Sequence, residues 1–173
     1  MKALGICLAA AMGLSSCGIV DNIATSRAYN YGVITHASEH VNPTKSFNEN
    51  NPGVGIGSEA PLAMSRWAVG VEAGRFRNSN DELSTYLGSY AEYDVLRNKP
   101  RRLRVGAFAA MAQYPAEADK NRANGTFAVG DFIPVLGLQA TVPTVGPHEF
   151  RLRLTPGLSR SDAIFTLQSN FVF

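Results

Sequence analysis

Apolar and polar residues alternate most clearly at the end of the chain, over residues 163–173. Apart from Ser169, the apolar face of this segment consists of Ala163, Phe165, Leu167, Phe171 and Phe173. The mostly polar opposite face carries Ile164, Thr166, Gln168, Asn170 and Val172. A period of two over about ten residues, ending in an aromatic, is typical of a membrane-spanning β-strand. One face would meet lipid and the other the interior of a barrel.

The same period recurs upstream, in segments that are each closed by turn residues. Including the last one, we predict eight strands, roughly over 28–37, 51–59, 65–76, 83–95, 102–113, 126–142, 148–156 and 162–173. Eight strands make the smallest common membrane barrel, whose interior side chains can fill. The predicted fold is therefore all-β: an eight-stranded antiparallel up-and-down outer-membrane β-barrel, with residues 28–173 as one domain.

Charges of both signs lie on the predicted inward faces. Glu72, Arg104, Arg151 and Arg153 all alternate with apolar or small residues in their strands. Inside a closed barrel these side chains can pair, whereas an unpaired charge there would be costly. Glycines on inward faces, as in Gly53-Val54-Gly55-Ile56-Gly57, either leave a slot for an acyl chain or make room for Phe108 and the arginines.

The connections fit a chain that starts in the periplasm. Outer loops then fall near 38–50, 77–82, 114–125 and 157–161, and inner turns near 60–64, 96–101 and 143–147. Two outer loops are longer than any inner turn, as bacterial barrels prefer. Pro134 interrupts the sixth segment and cannot donate to the strand ladder, which predicts either a lateral opening or a bend.

The composition agrees with a membrane barrel. Charged residues make up 17% of the chain and hydrophobic residues 45%, which is lean in charge for a soluble surface. No apolar run reaches the roughly 18 residues of a transmembrane helix. The net charge of +2, without a basic stripe, argues against a nucleic-acid partner.

The N-terminus predicts a signal peptide over residues 1–16, with Lys2 before an apolar stretch at 3–14. Leu14-Ser15-Ser16-Cys17 resembles a lipobox, which predicts lipidation of Cys17; the alternative is an ordinary cleavage site nearby. Residues 17–27 would be a lead-in to the barrel. Because Cys7 lies inside the signal, the mature chain can form no internal disulfide or thiolate metal site.

Two patterns carry candidate chemistry. His36-Ala37-Ser38-Glu39-His40 matches the H-x-x-E-H zinc motif, but that motif works on a helix and this segment is predicted to be a strand. Positions four apart on a strand are separated by about 13 Å, so we expect no metal. The topology instead brings His36 and Ser79 to the same outer rim, where a histidine can take a serine proton and promote acyl transfer.

With these residues the chain resembles the outer-membrane lipid A palmitoyltransferases, small eight-stranded barrels. The likeness covers about residues 33–173 and rests on Val33-Ile34-Thr35-His36, Phe47-Asn48-Glu49, the glycine-rich Gly53–Gly57, Ser65-Arg66-Trp67, Ile133-Pro134-Val135-Leu136, Thr155-Pro156-Gly157 and Phe171-Val172-Phe173. The resemblance implies that a palmitoyl chain moves from phospholipid to lipid A in the outer membrane, in a monomer without a cofactor. The family's histidine, aspartate and serine fall on His36, Asn78 and Ser79, so an amide replaces the acid.

The function predicted first is therefore acyl transfer to lipid A or a related glycolipid. His36 would be the general base, Ser79 a hydroxyl at the reacting centre, and Asn78 an orienting or oxyanion-binding group. His40 is an alternative to His36, because the segment from His36 to Phe47 is shorter than that of the family the chain resembles. The alternative is a non-catalytic outer-membrane barrel with a structural, adhesion or surface-blocking role, because an amide cannot stabilise an imidazolium by charge. A third possibility is a soluble periplasmic lipid-binding barrel tethered through Cys17.

Overall fold

The structure is a computed structural model that describes residues 28–32, 35–40, 50–62, 65–96, 103–144, 146–156 and 163–172. The predicted signal peptide, Cys17 and the lead-in lie outside the described residues, and they stay predictions. In the described part of the chain, no helix has the length and apolar character needed to cross a bilayer.

Nine β-strands and one α-helix make up the described residues. They are β1 Ala28–Gly32, β2 Thr35–His40, β3 Asn50–Pro61, β4 Trp67–Arg77, β5 Leu83–Asp94, β6 Arg104–Gln113, α1 Pro115–Ala123, β7 Phe132–Pro143, β8 His148–Pro156 and β9 Ala163–Val172. The bounds of β3 to β6, β8 and β9 agree within a few residues with the alternating segments of the sequence. The single strand predicted over 28–37 is described as two, β1 and β2.

All pairings in the sheet are antiparallel, and the sheet closes on itself. From β3 to β9 each strand pairs with the next along the chain. Both β1 and β2 pair with β3 on one side and with β9 on the other. The result is the antiparallel, up-and-down arrangement that the sequence predicted. We call the end with the β3–β4, β5–β6 and β7–β8 connections the inner end, and the opposite end the outer end.

The side chains of this sheet are arranged inside out compared with a soluble protein. Leu87, Leu138 and Ile56 on the outer surface are more than 60% exposed, whereas Arg151 and Glu92 on the inner surface are at most 1% exposed. An apolar outside and a polar inside are what a barrel in lipid requires. In β9, Phe165, Leu167 and Phe171 are exposed while Gln168 and Asn170 are buried, which confirms the alternation found at the chain end.

The connection between β6 and β7 differs from the prediction. The sequence predicted an outer loop over 114–125 and a strand from 126, whereas α1 occupies Pro115–Ala123 and β7 begins at Phe132. Pro115 at the helix start, Glu117 in the first turn and Arg122 in the last turn suit the helix dipole. The Tyr114 amide donates to the Asp131 carbonyl at 2.8 Å, which closes the base of this loop.

Candidate functional site

At the outer end, Asn78 organises the turn between β4 and β5. Its side chain is fully buried, and its Oδ1 accepts hydrogen bonds from the amides of Asn80 and Glu82, both at 2.9 Å. Its Nδ2 donates to the Ser84 hydroxyl at 2.9 Å. This set of bonds is what an asparagine makes when it stabilises a turn. The carbonyl oxygen that could orient a neighbouring side chain is thus occupied by backbone amides.

The strand register fixes where His36 stands relative to this turn. His36 pairs with Asn51 across β2 and β3, and Gly53 pairs with Phe76 across β3 and β4. If the β3–β4 register is continued two residues beyond the Gly53–Phe76 pair, Asn78 lies opposite Asn51. His36 and Asn78 therefore lie at one level of the outer rim with β3 between them, a backbone separation of roughly 10 Å. Ser79 follows in the turn and is half-buried.

Sequence reasoning did not single out Ser84, although it is the buried serine of this rim. Its hydroxyl accepts a hydrogen bond from the Asn78 side-chain amide and donates one to the backbone carbonyl of Gln113, which links β5 to the end of β6. The cluster Asn78-Ser79-Asn80-Asp81 has the composition of a tight turn, and Asp81 has a φ of 66°. That composition was a signal for a structural turn at the predicted catalytic position.

The H-x-x-E-H segment from His36 to His40 belongs to β2 and pairs with β9, where His40 lies opposite Ile164. The strand conformation agrees with the expectation, and it separates the two histidines along the chain. Within the described residues, no group of three or more His, Cys, Asp or Glu side chains is placed to hold a metal ion.

Apolar side chains occupy the outer half of the barrel interior. This outer cluster consists of Phe76, Tyr86, Ala112, Tyr114 and Val135. The rings of Phe76 and Tyr86 meet edge to face, with centroids 5.8 Å apart. Burial, with a smaller contribution from the charge of Glu117, raises the pKa of Tyr114 to about 12. The cluster gives the outer half of the interior a different chemistry from the inner half.

An aromatic layer, formed by the row Gly70, Tyr90, Phe108 and Gly137, lies on the inner side of the outer cluster. These residues are direct cross-strand partners on β4, β5, β6 and β7. The Tyr90 ring lies over Gly70, where a Cβ would come within 2.2 Å of Cζ, and Phe108 lies similarly over Gly137. Part of the glycine pattern in the sequence is thus explained by room for aromatic rings.

Two arginines cover the inner side of these rings. The Arg151 guanidinium carbon is 4.2 Å from the Tyr90 centroid, and that of Arg153 is 4.6 Å from the Phe108 centroid. Both arginines also bind Glu72: Nη1 of Arg151 at 3.0 Å and Nη1 of Arg153 at 2.6 Å. Each guanidinium is therefore held between an aromatic face and a carboxylate.

Charged side chains form an inner network, most of which lies on the inner side of this row; Glu59 pairs with Gly70 in the row itself, and Glu72 lies two residues outward of Gly70 on β4. Its members come from β3, β4, β5, β6 and β8 and are Glu59, Glu72, Glu92, Glu149, Arg104, Arg151 and Arg153. Arg104 contacts three carboxylates: Glu59, Glu92 at 3.3 Å and Glu149 at 2.7 Å. The prediction that inward charges pair inside the barrel is confirmed.

Pro134 lies on the outer half of β7, opposite Met111 of β6. β7 runs through it without a break, so Pro134 does not interrupt the strand. Among the described residues, β7 pairs with β8 only from Leu138 onward. The outer part of β7, around Pro134, therefore has described pairing on its β6 side alone.

Two solved structures similar to this chain are both of Ail from Yersinia pestis. One is the backbone structure of this outer membrane protein in a phospholipid bilayer nanodisc, with 10% identity and a TM-score of 0.46. The other is the crystal structure of Ail, the attachment invasion locus protein, with 11% identity and a TM-score of 0.40. Each match covers 86% of this chain and 100% of the Ail chain. No protein-family model and no curated protein matches the sequence.

The location of the chain follows from its own side chains. A closed antiparallel sheet that is apolar outside and charged inside is the architecture of bacterial outer-membrane proteins. The chain is therefore a membrane-embedded β-barrel of the bacterial outer membrane.

Proposed function

We propose that this chain is an eight-stranded outer-membrane barrel with a non-catalytic surface role, in which the barrel anchors its outer loops and holds them toward the medium. β1 and β2 then form one crossing, which gives eight. The observation that carries this proposal is the buried interior of the described strands: nearly all side chains of the inner network and the aromatic layer are buried. We therefore expect no open channel, which leaves the outer loops as the surface through which the barrel acts.

The loop between β6 and β7 is the best candidate for that surface. α1 is braced by ion pairs between Lys120 and Glu117, at 2.7 Å, and between Arg122 and Asp119. Arg122 also donates to the Gly130 carbonyl, which joins the helix to the returning chain. A braced helix with exposed charges of both signs suits adhesion to a polar partner, because little ordering entropy remains to be lost on contact.

The test compares two deletions and two point variants displayed on cells. Replacing residues 115–123 by a short glycine–serine linker should abolish adhesion to cells or matrix, while His36→Ala and Ser79→Ala should leave it intact. A matched control shortens the 78–82 turn, which lies on the same rim. If liposomes containing the wild-type barrel admit small sugars, or the linker variant adheres as well as wild type, the proposal is wrong.

A second candidate is lipid A palmitoyl transfer, with His36 as general base, Ser79 at the reacting centre and Asn78 as an orienting group. Its support is the common level of His36 and Asn78 on the rim, together with the apolar outer cluster, which suits an acyl chain. The bonds of Asn78 to its own turn speak against the role given to that residue. Lipid A mass spectrometry decides: a palmitoyl mass increase that depends on His36 would establish the activity, and no increase with folded barrel present would remove it.

A further inference from the structure

The outer surface of β4 carries a cation near the outer end. Arg75 and Arg77 alternate with the inward-facing Phe76, so both point to the lipid side, and both are exposed. Arg77 is paired with Asp81 at 3.1 Å. Within the described part of the chain, no carboxylate lies within 4.0 Å of Arg75. An exposed guanidinium on a lipid-facing strand needs either water or an anion beside it.

The height of Arg75 in the barrel can be worked out from the strand. Trp67 marks the inner boundary, where its ring meets that of Tyr93 at 5.3 Å, as in an aromatic girdle. Arg75 lies eight residues further along β4, which at 3.4 Å per residue and a tilt of about 40° places it roughly 21 Å above Trp67. The apolar band of such barrels is about 25 Å tall, so the Arg75 backbone lies about 4 Å below its outer edge, from where the long side chain can extend to the headgroups.

Hydrogen-bonding groups flank Arg75 on the same surface. Thr85 is its cross-strand partner on β5, and the Thr85 hydroxyl donates to Oε1 of Gln113 at 3.0 Å. Thr85 therefore lies between Arg75 and Gln113, and its hydroxyl is already bonded to the latter. The donors left for phosphate oxygens are those of the Arg75 guanidinium fork.

Beneath this polar row lies an apolar groove on the same strands. Its volume is about 480 Å³, and its lining includes Val71, Ser89, Ala109 and Leu136. Ser89 and Ala109 are cross-strand partners with short side chains, so the surface is depressed between longer neighbours. The groove faces the hydrocarbon region, where an acyl chain is the available ligand.

We propose that this surface is a binding site for one phosphorylated membrane lipid. The headgroup phosphate binds the Arg75 guanidinium, and one acyl chain lies in the groove along Val71 and Ala109. Two independent features support one ligand: a cation at headgroup height and an apolar depression below it on the same strands. The site requires only that the barrel be embedded in lipid. The proposal of a lipid site is therefore independent of the adhesive and the catalytic roles.

The test uses the folded barrel in vesicles of phosphatidylglycerol and phosphatidylcholine, extracted into mild detergent for native mass spectrometry. Wild type should retain one phosphatidylglycerol in preference to phosphatidylcholine. Arg75→Gln should lower this retention about tenfold, the effect of losing one charge-assisted contact. Ala109→Leu, which fills the groove, should lower it as well. Arg77→Gln, a lipid-facing arginine that is already paired with Asp81, and Ala140→Leu on β7, outside the groove, are the matched controls and should retain lipid as wild type does.

Unchanged retention in Arg75→Gln would overturn the headgroup contact, and unchanged retention in Ala109→Leu would overturn the acyl-chain contact. Excess inorganic phosphate should fail to displace the lipid; complete displacement would show a site for free phosphate and refute the proposal. Heat-modifiable gel mobility verifies that each variant is folded. If Arg75→Gln does not fold, Arg75→Lys serves instead and should give intermediate retention, because it keeps the charge and loses the planar fork.

Discussion

Replacing Arg151 by methionine should destabilise the barrel far more than replacing Glu149 by glutamine. The inner network holds four glutamates and three arginines, so it carries one excess negative charge. Arg151→Met leaves four acids against two cations, whereas Glu149→Gln leaves three against three. The two substitutions remove charges of opposite sign from the same buried cluster, which makes them a matched pair.

The magnitude follows from the contacts of each residue. Arg151 is 1% exposed, binds Glu72 at 3.0 Å, donates from Nε to Thr141 at 3.1 Å and covers the Tyr90 ring. Removing one partner of such a buried pair costs about 3–5 kcal/mol. Arg104 keeps Glu59 and Glu92 when Glu149 becomes glutamine, so that change should cost no more than about 1 kcal/mol.

The assay is urea unfolding of the barrel in short-chain lipid vesicles, with the folded fraction read from heat-modifiable gel mobility. Fluorescence of Trp67, the single tryptophan, gives a second reading. We expect the free energy of unfolding to fall by about 4 kcal/mol for Arg151→Met, nearly three decades in the folding equilibrium. Equal losses in the two variants, or a larger loss in Glu149→Gln, would refute the argument from charge balance.

Four further outcomes are expected. Gly70→Ala should lower the free energy of unfolding by about 2 kcal/mol, because the new Cβ meets the Tyr90 ring. Adding Tyr90→Leu should recover part of that loss. No recovery would contradict the packing of the ring on Gly70. Asn78→Ala should cost about 2 kcal/mol in the same urea assay, through unpaired turn amides, and an unchanged midpoint would mean that the turn does not need them. In an ultraviolet titration, the difference between wild type and Tyr114→Phe should show one phenol ionising near pH 12. The protonated Tyr114 hydroxyl contributes its full stabilisation below about pH 10, and this contribution declines as the pH rises to 12. A midpoint at about pH 10 would rule out burial of that hydroxyl. Cys17→Ser should abolish incorporation of labelled fatty acid into the chain, whereas continued labelling would place the modification elsewhere.

The strands could be predicted because alternation acts on every residue independently of its partners. Gln168 and Asn170 on one face, and Phe165 and Leu167 on the other, need only a lipid side and an interior side to be sorted. The contacts of Arg104 could not be predicted in this way. Its carboxylate partners Glu59 and Glu149 each lie 45 residues away along the chain, and only the strand register brings them together.

The residues of the outer rim show what cannot be predicted from strand positions alone. Asn78 and Ser79 were assigned to chemistry because the topology brings them to the same end as His36, and the register supports that common level. Whether those side chains react depends on their hydrogen-bond partners, and the turn uses the Asn78 side chain internally. The helix α1 was missed although Pro115 and Glu117 were visible signals, because nine residues without an apolar stripe resemble a loop.

Glu72 ties the two halves of the interior together. It lies two residues outward of Gly70 on β4, yet its carboxylate binds both Arg151 and Arg153 of β8. Because each of its oxygens serves a different arginine, β4 and β8 are cross-linked through the lumen, although in the described part of the chain no backbone hydrogen bond joins them. A cylinder that is laced internally in this way can vary its outer loops without losing its means of folding.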